Sequence, residues 1–286
     1  MKPVFISCFC WVIANAILND VIGQNTDSLH YRHDSAYIAN AEKLKPTQRP
    51  KVLHAEPIFI DLMRDLGAHK GEKEWNVGVG MQDNLDYNAY KSLVEYEWAP
   101  VERLGLEVEL PFTFYSGNSP QKPASRLESL KLAAQYTFLV APKAHTSLAV
   151  GYIHELLTPS FDRMGVDPWL QGHLATPFLV AAKRWGTYFH TLLYTGPMFE
   201  YNRNTQQWKS GGQYHFNLHF MLPGTRHFMG VETNMYSGEI KNGITLRPQM
   251  RLEINEQWLV GVVAGIPVTK GQERLSSFCR IIYEPH

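Results

Sequence analysis

The sequence is poor in cysteine, with three in 286 residues. Two of them, Cys8 and Cys10, lie in an apolar N-terminal stretch of the kind found in signal peptides. Only Cys279 would remain after cleavage, which excludes an intramolecular disulfide and a cysteine-based metal cluster in the mature chain. Phosphate-binding glycine loops and HExxH motifs are also missing. We therefore expect no cofactor, no metal site and no catalytic residues.

An excess of one charge is absent as well, because Lys and Arg together number 27 and Asp and Glu also number 27. This balance disfavours nucleic acid as a partner. After the N-terminal stretch there is no run of about 18 apolar residues, so no helical membrane span is expected. The mean hydropathy is −0.25 although aromatic residues make up 12% of the chain. That combination is typical of strands in which every second residue meets lipid.

The first part of the chain has the features of a targeting signal. Lys2 provides a positive start, residues 4–18 are mainly apolar, and residues 21–23 suit a cleavage site. We predict a signal peptide over residues 1–23, with an uncleaved membrane anchor as the alternative. Residues 24–71 are predicted to form a periplasmic extension, and residues 72–286 an outer-membrane β-barrel, for the reasons that follow.

A short amphipathic helix is predicted within the extension. Apolar side chains recur at helical spacing between Pro57, which suits a first turn, and Gly67, which suits a C-cap. Such a helix could cap the periplasmic mouth of a barrel, enter its lumen as a plug, or lie on the membrane surface. The apolar positions are Ile58, Phe59, Leu62, Met63 and Leu66.

From Glu72 onward, apolar and polar residues alternate in about twelve blocks, as in Trp75-Asn-Val-Gly-Val-Gly-Met81. A period of two is the signature of strands, since successive side chains point to opposite faces. The connections alternate between short turns and longer polar loops, and aromatic residues cluster near the block ends. We predict an all-β fold: an antiparallel transmembrane β-barrel of about 12 strands with both chain ends in the periplasm. A soluble β-sandwich is the alternative.

Several blocks also resemble a known family. They are residues 54–57 (HAEP), 74–78 (EWNVG), 95–100 (EYEWAP) and 104–112 (LGLEVELPF). With them the chain resembles outer-membrane barrels of Bacteroidetes-type bacteria that open with a HAEP block, similar in style to transporter-like barrels of aromatic-degradation operons. The resemblance spans the mature chain and implies a Gram-negative outer-membrane location. It brings no substrate and no catalytic residues.

Charged residues on the inward-facing positions are the candidates for function. Four carboxylates crowd one predicted hairpin, and residues of opposite sign lie on other strands, an arrangement that would order a permeating solute across a wet lumen. The alternative is a filled interior in which the same residues form a salt-bridged network. The predicted lumen-lining residues are Glu95, Glu97, Glu107, Glu109, Lys131, Gln135, His215, His219, Arg247, Arg251, Glu253 and Arg280.

The histidines are interpreted conservatively. His215 and His219 lie on one strand face about 13 Å apart, which is too far to share a metal ion. Hydrogen-bonded interior histidines are therefore favoured. His54 and Glu56 suit a cap of the predicted helix better than a ligand pair.

These observations predict a porin-like channel or transporter for a small solute, held in outer-membrane lipid. A structural or adhesive barrel without transport is one alternative. A lipid-modifying hydrolase is another, for which His154, Glu155 and Ser160 are the nearest candidates, although the expected serine two residues from a histidine on one strand face is missing.

Overall fold

The computed structural model describes residues 38–39, 42–43, 48–60, 62–269, 271 and 273–285. The predicted signal peptide lies outside these residues, as does most of the chain up to residue 47, so the predicted domain boundaries stay predictions. Within the described part, no helix has the length and apolarity needed to cross a membrane.

Strands dominate the described residues. They are β1 (Lys73–Asn84), β2 (Asn88–Val101), β3 (Leu104–Ser116), β4 (Arg126–Leu127), β5 (Ser129–Ala141), β6 (Thr146–Leu157), β7 (Gly172–Trp185), β8 (Phe189–Asn202), β9 (Gln207–Met221), β10 (Phe228–Gly238), β11 (Gly243–Glu253), β12 (Trp258–Pro267) and β13 (Glu273–Tyr283). The short β4 has two residues and is followed after Glu128 by β5. Both pair with β3, so they count as one strand of the wall.

The wall closes on itself. Each strand pairs antiparallel with its neighbours in the chain, and β1 pairs with both β2 and β13. Trp75, for example, lies opposite Tyr96 on one side and Tyr283 on the other. The predicted closed antiparallel barrel of twelve strands is thereby confirmed. Closure leaves no unpaired sheet edge, which an open sheet would expose to other chains.

The wall is apolar outside and polar inside. Along β1, Trp75, Val77 and Val79 are each about half exposed, whereas Asn76 between them is fully buried. Because alternate residues of a strand face opposite sides, the exposed set points away from the barrel and the buried set into it. This is the reverse of a soluble β-sandwich, whose strands turn their apolar face inward.

The connections differ in length between the two ends of the barrel, but less than predicted. One end, called the short-turn end, has the turns 102–103, 142–145, 186–188, 222–227 and 254–257. The other, the long-loop end, has the loops 117–125 and 158–171 but also the three-residue turn 85–87. The polar stretch 201–211 is predicted from the sequence to be one of the longer loops. It contains only the short loop 203–206, because the β8–β9 ladder continues to Asn202 and Gln207.

The predicted helix over 57–66 is wrong: the described residues there form bends and turns. Arg64 has φ +76°, a left-handed value that ends any helical turn. The backbone N–H groups find acceptors on the wall, since Ile58 donates to Gln249 Oε1 (2.8 Å) and Gly67 to Thr137 Oγ1 (3.0 Å). Because these backbone N–H groups already have acceptors on the wall, the segment does not need helical hydrogen bonds.

Residues 52–60 and 62–68, here called the interior segment, lie inside the barrel. Their partners come from strands around the ring, including Ser147 on β6, His190 on β8 and Glu232 on β10. Apolar contacts follow the same path: Leu62, Met63 and Leu66 belong to one buried cluster with wall residues of β5 to β8. Of the three placements considered for this stretch, the structure shows the one within the lumen.

Candidate functional site

The interior has a filled half and an open half. The interior segment fills the half toward the short turns. Beyond it lies a cavity of about 480 Å³, whose floor is formed by Phe59, Ile60 and Met63 of the interior segment. The cavity wall carries charged groups and rings, among them Lys91, Glu109, Glu155, Tyr194, Tyr236 and Lys241.

The four predicted carboxylates lie deep in the wall rather than along an open path. Glu95, Glu97 and Glu107 are almost wholly buried, and of the four only Glu109 lines the cavity. Asn76 Nδ2 donates to Glu95 Oε1 (2.7 Å) and to Glu97 Oε1 (3.1 Å). These acids therefore belong to an internal hydrogen-bond network.

Two of the predicted polar residues connect this network. Lys131 Nζ lies 2.9 Å from Glu107 Oε1 and 2.7 Å from Glu109 Oε2. Gln135 Nε2 donates to the carbonyl oxygen of Arg64 at 2.9 Å, so it holds the interior segment. The amide of Gln135, which was predicted to face solute, therefore bonds to the backbone of the interior segment.

The two predicted histidines have separate partners. His215 Nδ1 accepts from Asn234 Nδ2 at 2.9 Å, and His219 Nε2 accepts from Gln249 Nε2 at 3.0 Å. Both histidines are fully buried. Gln249 also accepts the N–H of Ile58, so His219 helps to orient the amide that anchors the interior segment.

The remaining predicted residues are spread along the barrel. Arg247 Nε donates to Asn234 Oδ1 (2.6 Å), and its guanidinium lies 3.4 Å from the ring centre of Phe59. Arg280 Nη1 lies 3.3 Å from Glu95 Oε1. Arg251 packs over a ring of β10, and Glu253 sits apart at the short-turn end of β11. That these twelve residues line a solute path stays a prediction.

Sequence reasoning missed residues that hold the interior segment. Glu232 Oε1 accepts the N–H of Ile60 at 3.1 Å, and His190 Nδ1 accepts that of Ala55 at 2.7 Å. The two-residue period of β8 and β10 places both side chains inward, so the sequence pattern could have identified these two residues. Arg64 had no such signal, because its contacts with Glu74 and Glu97 depend on where a non-strand segment lies.

The pKa values of His54 and Lys51 in the extension are shifted in opposite directions. Burial lowers the pKa of His54 to about 3, and His190 and Arg184 act in the same direction. His54 is therefore neutral, with Nε2 3.0 Å from Ser147 Oγ. Burial alone would lower the pKa of Lys51, but the charges of Asp65 and Glu72 outweigh it and raise that pKa.

A family model described as HAEPLYID-like matches residues 50–284. The chain belongs to the HAEPLYID-like family. The match covers both the interior segment and the whole barrel wall, so the predicted family resemblance of the HAEP block is confirmed. Among curated proteins, no sequence matches the chain.

Solved structures support the fold. The COG4313 outer membrane channel from Pseudomonas putida F1 is similar with a TM-score of 0.63 and 10% identity, over 77% of this chain and 98% of that one. The KdgM porin is similar with a TM-score of 0.51 and 14% identity, over 74% of this chain and 99% of that one. At these identities the likeness concerns the barrel architecture.

The candidate hydrolase residues do not form a nucleophile–base pair. His154 faces outward, with Nδ1 3.0 Å from Tyr152 Oη and Nε2 3.2 Å from His173 Nδ1. Glu155 faces inward and accepts Ser129 Oγ–H at 2.8 Å. A serine nucleophile must lie within hydrogen-bond reach of its base, and both ring nitrogens of His154 contact other side chains.

Proposed function

We propose that the protein is a porin-like channel of the outer membrane of a Gram-negative bacterium, through which a small solute passes. The observation that carries the proposal is the cavity of about 480 Å³ on the long-loop side of the interior segment. Small closed barrels whose side chains fill the whole interior leave no such space. The similarity to solved channels supports this assignment through the shared architecture.

The outer surface of the wall supports a membrane location. Tilted ring pairs lie near the short-turn end, with centroids 4.6 Å apart for Trp75 and Tyr96 and 4.6 Å apart for Trp258 and Tyr283. Aromatic girdles of this kind sit at the two interfaces of a bilayer. Outer-membrane lipid is therefore the proposed partner of the exposed apolar wall. Export by a signal peptide over residues 1–23 and a Bacteroidetes-type source are part of the proposal.

The interior segment acts as a plug in this proposal. Its side chains pack against wall residues in two buried apolar clusters, one with Leu62, Met63 and Leu66, the other with Ala55 and Ile58. Because close-packed interiors exclude solute, passage requires the segment to move. The channel is then closed at rest and open when the segment is displaced.

The solute is proposed to be small and polar. A cavity of about 480 Å³ lies within the range of small-molecule sites. Both charge signs face it, with Lys91 and Lys241 against Glu109 and Glu155. One similar structure is the KdgM porin in complex with disordered oligogalacturonate, so a barrel of this architecture does admit a polar solute.

Planar-bilayer conductance tests the channel. A Cβ on Gly105 would lie 1.5 Å from Met63 O, so Gly105→Val must displace the plug, whereas a Cβ on Gly271 meets nothing within 4 Å. We expect low conductance from the wild type and from Gly271→Val, and a several-fold increase from Gly105→Val. If Gly105→Val does not fold, Gly261→Ala, which intrudes on Ile58, replaces it. An absence of ion current from every folded variant would overturn the channel.

A structural or adhesive barrel without transport is the second candidate. The filled short-turn half favours it, because a permanently docked interior segment would block passage. The conductance experiment distinguishes the two candidates, because a barrel without transport should carry no ion current in any folded variant. A hydrolase would instead require release of fatty acid from phospholipid that is abolished in His154→Ala.

A further inference from the structure

The barrel buries an acidic cluster on β1, β2 and β3. Across the β2–β3 ladder, Glu95 lies directly opposite Glu109, and Glu97 directly opposite Glu107. Glu74 on β1 faces Glu97 from the other side. All five side chains are buried. Like charges directly opposite each other destabilise a sheet, so the cluster needs compensation by positive charge.

Among the described residues, the cations that form ion pairs with the cluster are fewer than its carboxylates. Arg64 contacts Glu74 and Glu97, while Lys131 contacts Glu107 and Glu109. Arg280 contacts Glu95. Arg64 is also shared with Glu72 outside the cluster. Five carboxylates thus share three cations, which leaves room for a further positive charge.

Three of these carboxylates are spaced as ligands of one ion. One oxygen from each of Glu95, Glu107 and Glu109 lies within 4.8 Å of the other two. Carboxylate oxygens are the ligands that Ca²⁺ prefers, and Ca²⁺ tolerates irregular coordination, whereas Mg²⁺ demands near-ideal octahedral geometry. An irregular trio of carboxylates therefore suits Ca²⁺ better than Mg²⁺.

Oxygens of the trio lack hydrogen-bond partners. Glu95 Oε2 and both carboxylate oxygens of Glu107 receive no hydrogen bond, and each of these residues is only 1% exposed. Lys131 Nζ is close to Glu107 Oε1, but it forms an ion pair there without hydrogen-bond alignment, and Glu107 Oε2 has no contact of either kind. Buried polar atoms are nearly always partnered, so these oxygens point to a ligand.

The trio can be reached from the cavity. Glu109 lines the cavity together with Lys131 and Arg280, and Lys91 and Lys241 in the same lining are exposed. An ion entering at the long-loop end therefore meets Glu109 first. Glu107 and Glu95 lie behind it on β3 and β2.

We propose that Glu95, Glu107 and Glu109 bind one Ca²⁺ ion at the inner side of the β2–β3 hairpin. The ion adds positive charge to the acidic cluster, and Lys131 keeps its ion pairs with Glu107 and Glu109. Since Glu97 on the same hairpin accepts the N–H of Arg64 at 2.8 Å, a bound ion also steadies the anchor of the interior segment. The site is independent of whether solute passes through the barrel.

Calcium titration of the refolded full-length protein after chelator treatment tests the site. Isothermal titration with CaCl₂ should give one ion per chain, and Ca²⁺ should raise the temperature at which the barrel unfolds on gels. Glu107→Gln should weaken binding at least about tenfold, since loss of even an outer-shell partner of a bound metal costs about 10–100-fold. Glu128→Gln, at a carboxylate that lines the same cavity and pairs with Arg126, should leave it unchanged.

If Glu107→Gln does not fold, Glu109→Gln carries the test. Absence of Ca²⁺ binding by the wild type would overturn the proposal and indicate that protons offset the excess charge. Equal binding by the Glu107→Gln and Glu128→Gln variants would overturn the assignment of the ligands. Tighter binding of MgCl₂ than of CaCl₂ would overturn the choice of ion.

Discussion

The carbonyl oxygen of Met63 occupies the space that a side chain on Gly105 would need, since a Cβ there would lie 1.5 Å from it. Gly105 belongs to β3 and Met63 to the interior segment, which thus lies against bare strand backbone. A Cβ on Gly261 of β12 would likewise lie 2.6 Å from Ile58 Cγ2. These glycines make room for the segment, and the segment and the wall are fitted to each other.

Gly105→Ala should therefore displace the interior segment. The methyl group cannot be accommodated by a rotamer change, because the atom it meets is backbone, and we expect a loss of about 1–3 kcal/mol in the free energy of unfolding, as for overpacked cores. Arg64, which is 5% exposed in the wild type, should become a trypsin site. Limited proteolysis of the detergent-refolded protein, with fragments assigned by mass spectrometry, measures this.

Gly271→Ala is the matched control, because a Cβ at that position meets nothing within 4 Å. It should leave both stability and the trypsin pattern as in the wild type. Protection of Arg64 in Gly105→Ala equal to that in the control would contradict the close fit.

The wall was predictable because its signal is local and repeated. From Trp75 to Met81 the outward residues of β1 are all apolar, and that pattern alone places Trp75 and Asn76 on opposite faces. The strand ends were harder. The β8–β9 hairpin extends into the stretch predicted as a loop, up to Asn202 and Gln207, and Asn202 Oδ1 accepts the N–H groups of Asn204 and Thr205.

The interior could be predicted only in part. Strand parity places Glu95 and Arg280 inward, but their contact at 3.3 Å joins residues brought together by the closure of β1 on β13. The spacing of Ile58, Leu62 and Leu66 indicated a helix, because a segment buried on all sides also shows dense apolar positions. What decided its conformation was a set of wall acceptors such as Gln249, far away in the sequence.

Arg64 should be the most sensitive polar residue of the interior segment. Its guanidinium contacts Glu74 and Glu97, and it is nearly fully buried. Removing one partner of a buried ion pair leaves an uncompensated charge and costs about 3–5 kcal/mol. Arg64→Met should lower the free energy of unfolding by about this amount in denaturant titrations of the refolded barrel, and combining it with Glu74→Gln should recover part of the loss.

The comparison residue is Arg163, whose side chain is 55% exposed and pairs with Asp167 four residues on. Exposed pairs of this kind contribute little to stability because solvent screens them, so Arg163→Met should be close to neutral. Comparable losses in both variants would show that the contacts of Arg64 do not hold the segment.

His54 makes the docking of the interior segment sensitive to acid. Burial, with His190 and Arg184, lowers the folded-state pKa of His54 to about 3, while the unfolded chain has the ordinary 6.5. Below pH 6.5 the unfolded state therefore binds a proton that the folded state does not. The stabilisation is complete above the unfolded pKa and is lost as the pH falls from about 6.5 toward 3, at about 1.4 kcal/mol per pH unit. At pH 5 the loss is roughly 2 kcal/mol.

His54→Gln should remove this contribution, because the amide can still bond to Ser147 Oγ but does not titrate. Thermal unfolding midpoints of the refolded barrel between about pH 5 and 7.5 should fall less steeply on acidification in His54→Gln than in the wild type. Other buried histidines such as His190 remain in every variant, so the difference between the slopes isolates His54. Identical slopes in wild type and His54→Gln would show that the segment releases without protonation of this residue.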